Sequence, residues 1–87
     1  MAVVWIPSMM RALTAGQDRV RASGATVAEV IDALETDHPG IKERLLAQGQ
    51  LAPGIMVTID GQCALRGLQE QVGVESEVRF LPVMAGG

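Results

Sequence analysis

The stretch Thr26-Val27-Ala28-Glu29-Val30-Ile31-Asp32-Ala33-Leu34-Glu35-Thr36 governs how the rest of the chain is read. Thr26 and Glu29 have the spacing of a capping box: the threonine hydroxyl accepts from the Glu29 amide while the glutamate reaches back to the Thr26 amide. Behind this start Val27, Val30, Ile31 and Leu34 recur at helical spacing as one apolar stripe, with Glu29, Asp32, Glu35 and Thr36 opposite. A helix with a single apolar stripe has to lie on another layer, here a sheet. His38-Pro39-Gly40 ends it, because proline disfavours helical dihedrals at His38 and has no amide to donate.

Upstream, Ala2 to Ile6 is a short, nearly continuous apolar run with Val and Trp, the pattern of a central strand covered on both sides, and Pro7-Ser8 stops it. Arg11 to Gly16 reads as a connecting loop. Asp18 to Ala22 alternates polar with apolar, which predicts a half-exposed second strand. Downstream, Ile41 to Leu46 predicts one or two helical turns with Ile41 and Leu45 inward, broken by Gly49 and Pro53-Gly54. Ile55 to Ile59 is a β-branched third strand, Asp60-Gly61 is a type I′ hairpin signal, and Gln62 to Leu65 returns from it. Leu68 to Val72 reads as one helical turn, and Glu77 to Leu81 as a last strand closed by Pro82.

The order strand, strand, helix, strand, short strand, strand is solved economically by an α+β fold: a mixed sheet of four to five strands with one main helix packed on one face. That arrangement is a β-grasp, the ubiquitin-like architecture. The domain spans 1–81, and 82–87 form a flexible C-terminal tail, Pro82-Val83-Met84-Ala85-Gly86-Gly87.

Eighty-seven residues, 48% of them hydrophobic and 20% charged, suit one small folded domain. A net charge of -3 and only two aromatic residues, Trp5 and Phe80, argue against nucleic-acid binding and for partners with basic surfaces. The single cysteine, Cys63, leaves no internal disulfide and too little for a metal cluster, which fits the cytoplasm. The start lacks the pattern of a signal peptide, and no run approaches the ~20 apolar residues of a membrane span.

Catalytic constellations are missing, and no catalytic or metal-ligating set is expected within the chain. His38 and Cys63 lie 25 positions apart in different elements. His38 reads as a helix C-terminal residue, and Cys63 as a small, partly buried hydrophobe near a hairpin, with a mixed-disulfide or thioester site as the alternative. No glycine-rich phosphate loop occurs, so no nucleotide cofactor is expected on this chain. Glu29, Asp32 and Glu35 read as a solvated helix face rather than a docking surface. The tail remains. Six extended residues reach at most about 20 Å, enough to enter a partner's buried active site. Gly86 and Gly87 have no Cβ and fit a narrow channel. A free carboxylate is a poor acyl donor, an acyl-adenylate a good one, and an unhindered glycine terminus is easily activated in this way; the alternative is a frayed, functionless end.

Leu81-Pro82-Val83-Met84-Ala85-Gly86-Gly87, the start Val4-Trp5-Ile6-Pro7 with Arg11-Ala12-Leu13 after it, and the capped helix together resemble the MoaD/ThiS family of ubiquitin-like sulfur carriers, above all its MoaD-like and CysO-like members. The resemblance covers essentially the whole chain. It implies that a ubiquitin-activating-type enzyme uses ATP and magnesium to adenylate Gly87, and that sulfide or a persulfide then displaces AMP to leave a thiocarboxylate. A sulfur-accepting synthase next receives the tail through Ala85, Gly86 and Gly87. The family's partner-contacting position at the end of the last strand falls on Leu81; molybdopterin-type members commonly have an aromatic residue there. The same activation ending in an isopeptide bond to lysine would describe a protein modifier, and a plain β-grasp binding module is a third reading.

Strand parity adds a surface. With Val78 and Phe80 toward the helix, Arg79 and Leu81 point to the open side of the sheet. Ala2, Val4 and Ile6 then face the helix, while Val3 and Trp5 join Leu81 and Met56 outside. The expected partner interface is an apolar patch of Trp5 and Leu81, continued along the tail by Val83 and Met84. The reverse parity would bury Trp5 in the core.

Overall fold

The structure is a computed structural model and describes residues 1–83. The strands are β1 (Ala2–Trp5), β2 (Arg19–Ala22), β3 (Leu46–Ala47), β4 (Gln50–Leu51), β5 (Ile55–Ile59), β6 (Gln62–Cys63) and β7 (Glu77–Pro82). The helices are α1 (Val27–Asp37) and α2 (Ile41–Leu45). Five strands form one sheet in the order β2-β1-β7-β5-β6, and β3 and β4 form a separate small hairpin. The two central strands β1 and β7 run parallel, while β2, β5 and β6 join antiparallel. This is the β-grasp expected from the order of elements.

Val27, Val30, Ile31 and Leu34 are all buried, as their spacing predicts, against Val4, Ile6, Val57, Val78 and Phe80 in one core. Ile41 and Leu45 are fully buried from α2. The cap of α1 differs in one detail. The Thr26 hydroxyl accepts from the Glu29 amide at 3.2 Å, but the Glu29 carboxylate takes the Ala25 amide, at 2.9 Å, instead of that of Thr26. The start of α1 is lashed to the approach to β7: the Val27 N–H donates to Glu70 O, and the Val72 N–H to Ala25 O. That joins helix and last strand before the strand begins.

Several local expectations change. Ser8–Thr14 is a 3-10 helix, not a loop, because Met10 and Thr14 plug the end of the core. The buried Thr14 hydroxyl is satisfied by the carbonyls of Arg11 and Gln17. The first strand is covered on one face only: Ala2 and Val4 are buried, Val3 and Trp5 half-buried. The hairpin β3–β4 turns on Gln48 and Gly49, both at positive φ (54° and 78°), an arrangement that the single glycine did not announce. The strand after Asp60-Gly61 is only Gln62–Cys63, and the helical turn beyond it is Gly67–Gln69. Asp60 and Gly61 adopt φ of 52° and 86°, as a type I′ turn needs.

Candidate functional site

The last strand positions the site. β7 lies in the middle of the sheet, alternates Val78 and Phe80 into the core, and continues through Pro82, one residue beyond the expected end. Its register with β5 brings Leu81 opposite Met56 and Pro82 opposite Ile55. Leu81 and Val83 are exposed, at 37% and 44%. The Val83 N–H donates to Gly54 O at 2.7 Å, so the chain is still tied to the domain there. Met84, Ala85, Gly86 and Gly87, the remaining expected interface and insertion residues, lie outside the described residues.

The predicted parity is the one observed, and Trp5 lies on the open face with Leu81. Its surroundings are not the apolar patch expected. Trp5 pairs in register with Arg19 on one side and Arg79 on the other, and both guanidiniums lie over the indole, 5.4 and 4.4 Å from its centroid. The indole N–H donates to Glu77 Oε1 at 3.0 Å, and the same oxygen is 3.6 Å from Arg79 Nη2. A ring with an electron-rich face attracts cations, and a carboxylate at its N–H edge holds ring and guanidinium together. Arg19 and Glu77 were therefore missed as members of this surface, and Arg79, correctly placed on the open side, was not recognised as a partner of the ring. The signal was present in the alternation of Arg19-Val20-Arg21-Ala22 and of Glu77-Val78-Arg79-Phe80, which puts every charge on one face.

The helix face carries a different kind of charge. Asp32 pairs with Lys42 at 2.6 Å, and the Glu35 carboxylate accepts from the amides of Gly40 and Lys42 at 3.1 and 2.9 Å. Those amide bonds hold the Glu35 carboxyl below its ordinary range, with Lys42 adding to the effect, and the bond to Asp32 raises the Lys42 ammonium. These acids are thus spent on joining α1 to α2 rather than simply solvated. Cys63 is exposed, not partly buried, because its strand is two residues long at the sheet edge. His38 is the C-cap of α1. Among the described residues no group of three or more His, Cys, Asp or Glu could hold a metal ion, and no helix is long and apolar enough to cross a membrane.

A ubiquitin-like domain whose last strand lies in the middle of the sheet and runs to Pro82 is the class that fold and site define. The ThiS family model matches residues 4–87, and the chain belongs to that family. The sulfur carrier protein CysO of Mycobacterium tuberculosis is 35% identical over 89 residues, covering 97% of this chain and 96% of the relative. A chain of the Amycolatopsis orientalis BexX/CysO complex superposes with a TM-score of 0.92 at 37% identity, each chain covered completely. Small archaeal modifier protein 1 of Methanosarcina acetivorans gives 0.81 at 25% identity, over 99% of this chain and 95% of that one. The CysO relatives are carriers rather than enzymes, and this chain is of their kind.

Proposed function

We propose that this chain is a sulfur carrier whose reactive atom is the carboxyl of Gly87. The observation that carries the reading is the end-to-end match to sulfur carriers, which for the family model runs through Gly86-Gly87. The central place in the sheet of β7, the strand that precedes that segment in the sequence, supports it. The carboxylate attacks the α-phosphorus of ATP, bound with magnesium on a ubiquitin-activating-type partner, and pyrophosphate leaves. Sulfide then attacks the acyl carbon, AMP leaves, and a thiocarboxylate results; when a persulfide sulfur attacks instead, AMP leaves an acyl disulfide, and a thiol reduces its S–S bond to release the thiocarboxylate. A sulfur-accepting synthase takes the arm through Ala85, Gly86 and Gly87. The domain contributes no catalytic group: it holds the arm and presents Trp5, Leu81, Val83 and Met84 to the partner. A relative found in a complex, BexX/CysO, supports docking as the mode of action. The cytoplasm, where ATP and reduced sulfur coexist, suits this chemistry.

The test is incubation with an active cognate adenylating enzyme, ATP, magnesium and sulfide, followed by intact-mass measurement. One terminal oxygen is replaced by sulfur, and deleting Gly87 abolishes the change without altering the melting curve. An unchanged mass overturns the reading. The likeness to an archaeal modifier favours one second reading, transfer of Gly87 to lysine amines. Conjugates that survive thiol reduction and vanish on Gly87 deletion would establish that outcome.

A further inference from the structure

We propose that the open face around Trp5 is a cationic docking surface, and that the adenylating enzyme that activates the C-terminal arm meets it with carboxylates beside the mouth of its channel; this rests on the carrier reading. The net charge of -3 by itself points to basic partners, but the charges are segregated. Among the described strand residues the open face carries Arg19, Arg21 and Arg79 against one carboxylate, Glu77. A partner is steered by the face that it meets, not by the net charge.

The shape suits a carboxylate. Val3, Arg19, Val20 and Arg21 line a shallow depression of about 320 Å³. Arg19 and Arg21 are exposed, and neither has an ion-pair partner among the described residues. Two guanidiniums without ion-pair partners among the described residues, with Val3 lining the same depression, fit an Asp or Glu side chain, carboxylate to the forks and stem to Val3. Trp5 sits next to this depression with its ring already fixed by Glu77 and Arg79, so docking immobilises little more.

Continuity with the arm selects the partner. Arg79 and Leu81 lie on this face of β7, and the chain leaves the sheet at Pro82 and Val83. An arm rooted at that point enters a channel only when the adjoining face rests against its rim. The other acidic surface in view is the helix side of a second copy. There Asp32 is paired with Lys42 and Glu35 is taken by two backbone amides, which leaves fewer carboxylates free.

The experiment uses the full chain labelled with 5-fluorotryptophan, which gives one ¹⁹F line because Trp5 is the only tryptophan. Adding the cognate adenylating enzyme shifts or broadens that line at low salt, and the effect weakens as salt rises. Replacing both arginines, Arg19→Glu with Arg21→Glu, raises the KM for activation about tenfold and leaves kcat within about twofold, since reversed surface charges act on association. A thermal melt verifies that the variant folds; the wild-type ¹⁹F titration stands whether or not it does. A line that stays unmoved while the wild-type chain is thiocarboxylated overturns the proposal, as does a folded variant activated like wild type. A line that moves with the chain's own concentration assigns the face to self-association and also overturns it. If an active enzyme fails to thiocarboxylate the wild-type chain, the carrier reading falls first and this proposal with it.

Discussion

The backbone N–H of Val83 donates to the carbonyl of Gly54 at 2.7 Å, which pins the end of the last strand to the turn before β5. Four residues follow Val83 in the sequence, and four fully extended residues span at most about 14 Å, against about 20 Å for the six expected as tail. The Val83 amide is therefore expected to exchange with solvent deuterium more slowly than a free terminus. Val83→Pro removes the donor while keeping an extended backbone, and costs at most about 1 kcal/mol, read by urea melts. Gly54→Ala separates strain from packing: its added Cβ would lie an ordinary 3.7 Å from Val83 O, but φ is 86°. The expected loss is about 1–2 kcal/mol, from the backbone alone.

The position of Arg79 over the Trp5 ring gives a second expectation. Arg79→Ala uncovers one face of the indole, so quenching of the single tryptophan by acrylamide rises. The stability cost is about 0.5–1 kcal/mol for an exposed cation–π contact. Arg79→Lys restores part of the protection against quenching but less of the stability, because an ammonium cannot stack flat on the ring.

Most of the fold was legible because local signals agreed with one another. The Thr26 cap, the stripe from Val27 to Leu34 and the Asp60-Gly61 turn all point to one topology, and the parity of Val78 and Phe80 placed Trp5 on the correct face. What escaped depends on tertiary partners. Ser8–Thr14 is helical because Met10 and Thr14 are buried by elements far away in sequence, and the β3–β4 turn puts Gln48, a residue with no preference for it, at positive φ. At the site, the apolar count of Val3, Trp5, Leu81 and Met56 suggested a hydrophobic patch. Composition does not reveal that register seats two arginines over the tryptophan.

Gly24 marks the tightest approach of backbone to helix. A Cβ at this position would lie 2.7 Å from Val30 N and 2.9 Å from the Glu29 carbonyl carbon, both backbone atoms of α1 that cannot move aside cheaply. Gly24→Ala is expected to push the helix start off its seat and cost about 2–3 kcal/mol, an overpacking penalty. For a domain of this size that lowers the melting temperature by roughly 10–20 °C. The matching control is Gly61→Ala, where nothing lies within 4 Å of the added Cβ and only the positive φ is penalised.

The junction of α1 and α2 should make stability depend on pH in two separate windows. Glu35 has its carboxyl lowered in the folded state by the amides of Lys42 and Gly40, so the folded chain binds a proton there less readily than the unfolded one. Its stabilising contribution is complete above the ordinary glutamate value of 4.5 and is lost as pH falls through the lower folded value. Lys42 behaves in the opposite sense: raised by Asp32, it stabilises below its ordinary 10.5 and loses that contribution as pH rises through the higher folded value. The Lys42 and Asp32 side chains reach solvent while the Glu35 amide bonds are partly buried, so salt should weaken the Lys42–Asp32 pair more than the amide bonds to Glu35. Chemical denaturation of wild type and Glu35→Gln across pH 2–6 tests the acid window. The amide still accepts hydrogen bonds but does not titrate, so the two curves should differ above about pH 4.5 and converge in acid; curves that remain parallel down to pH 2 would place the acid sensitivity elsewhere in the molecule.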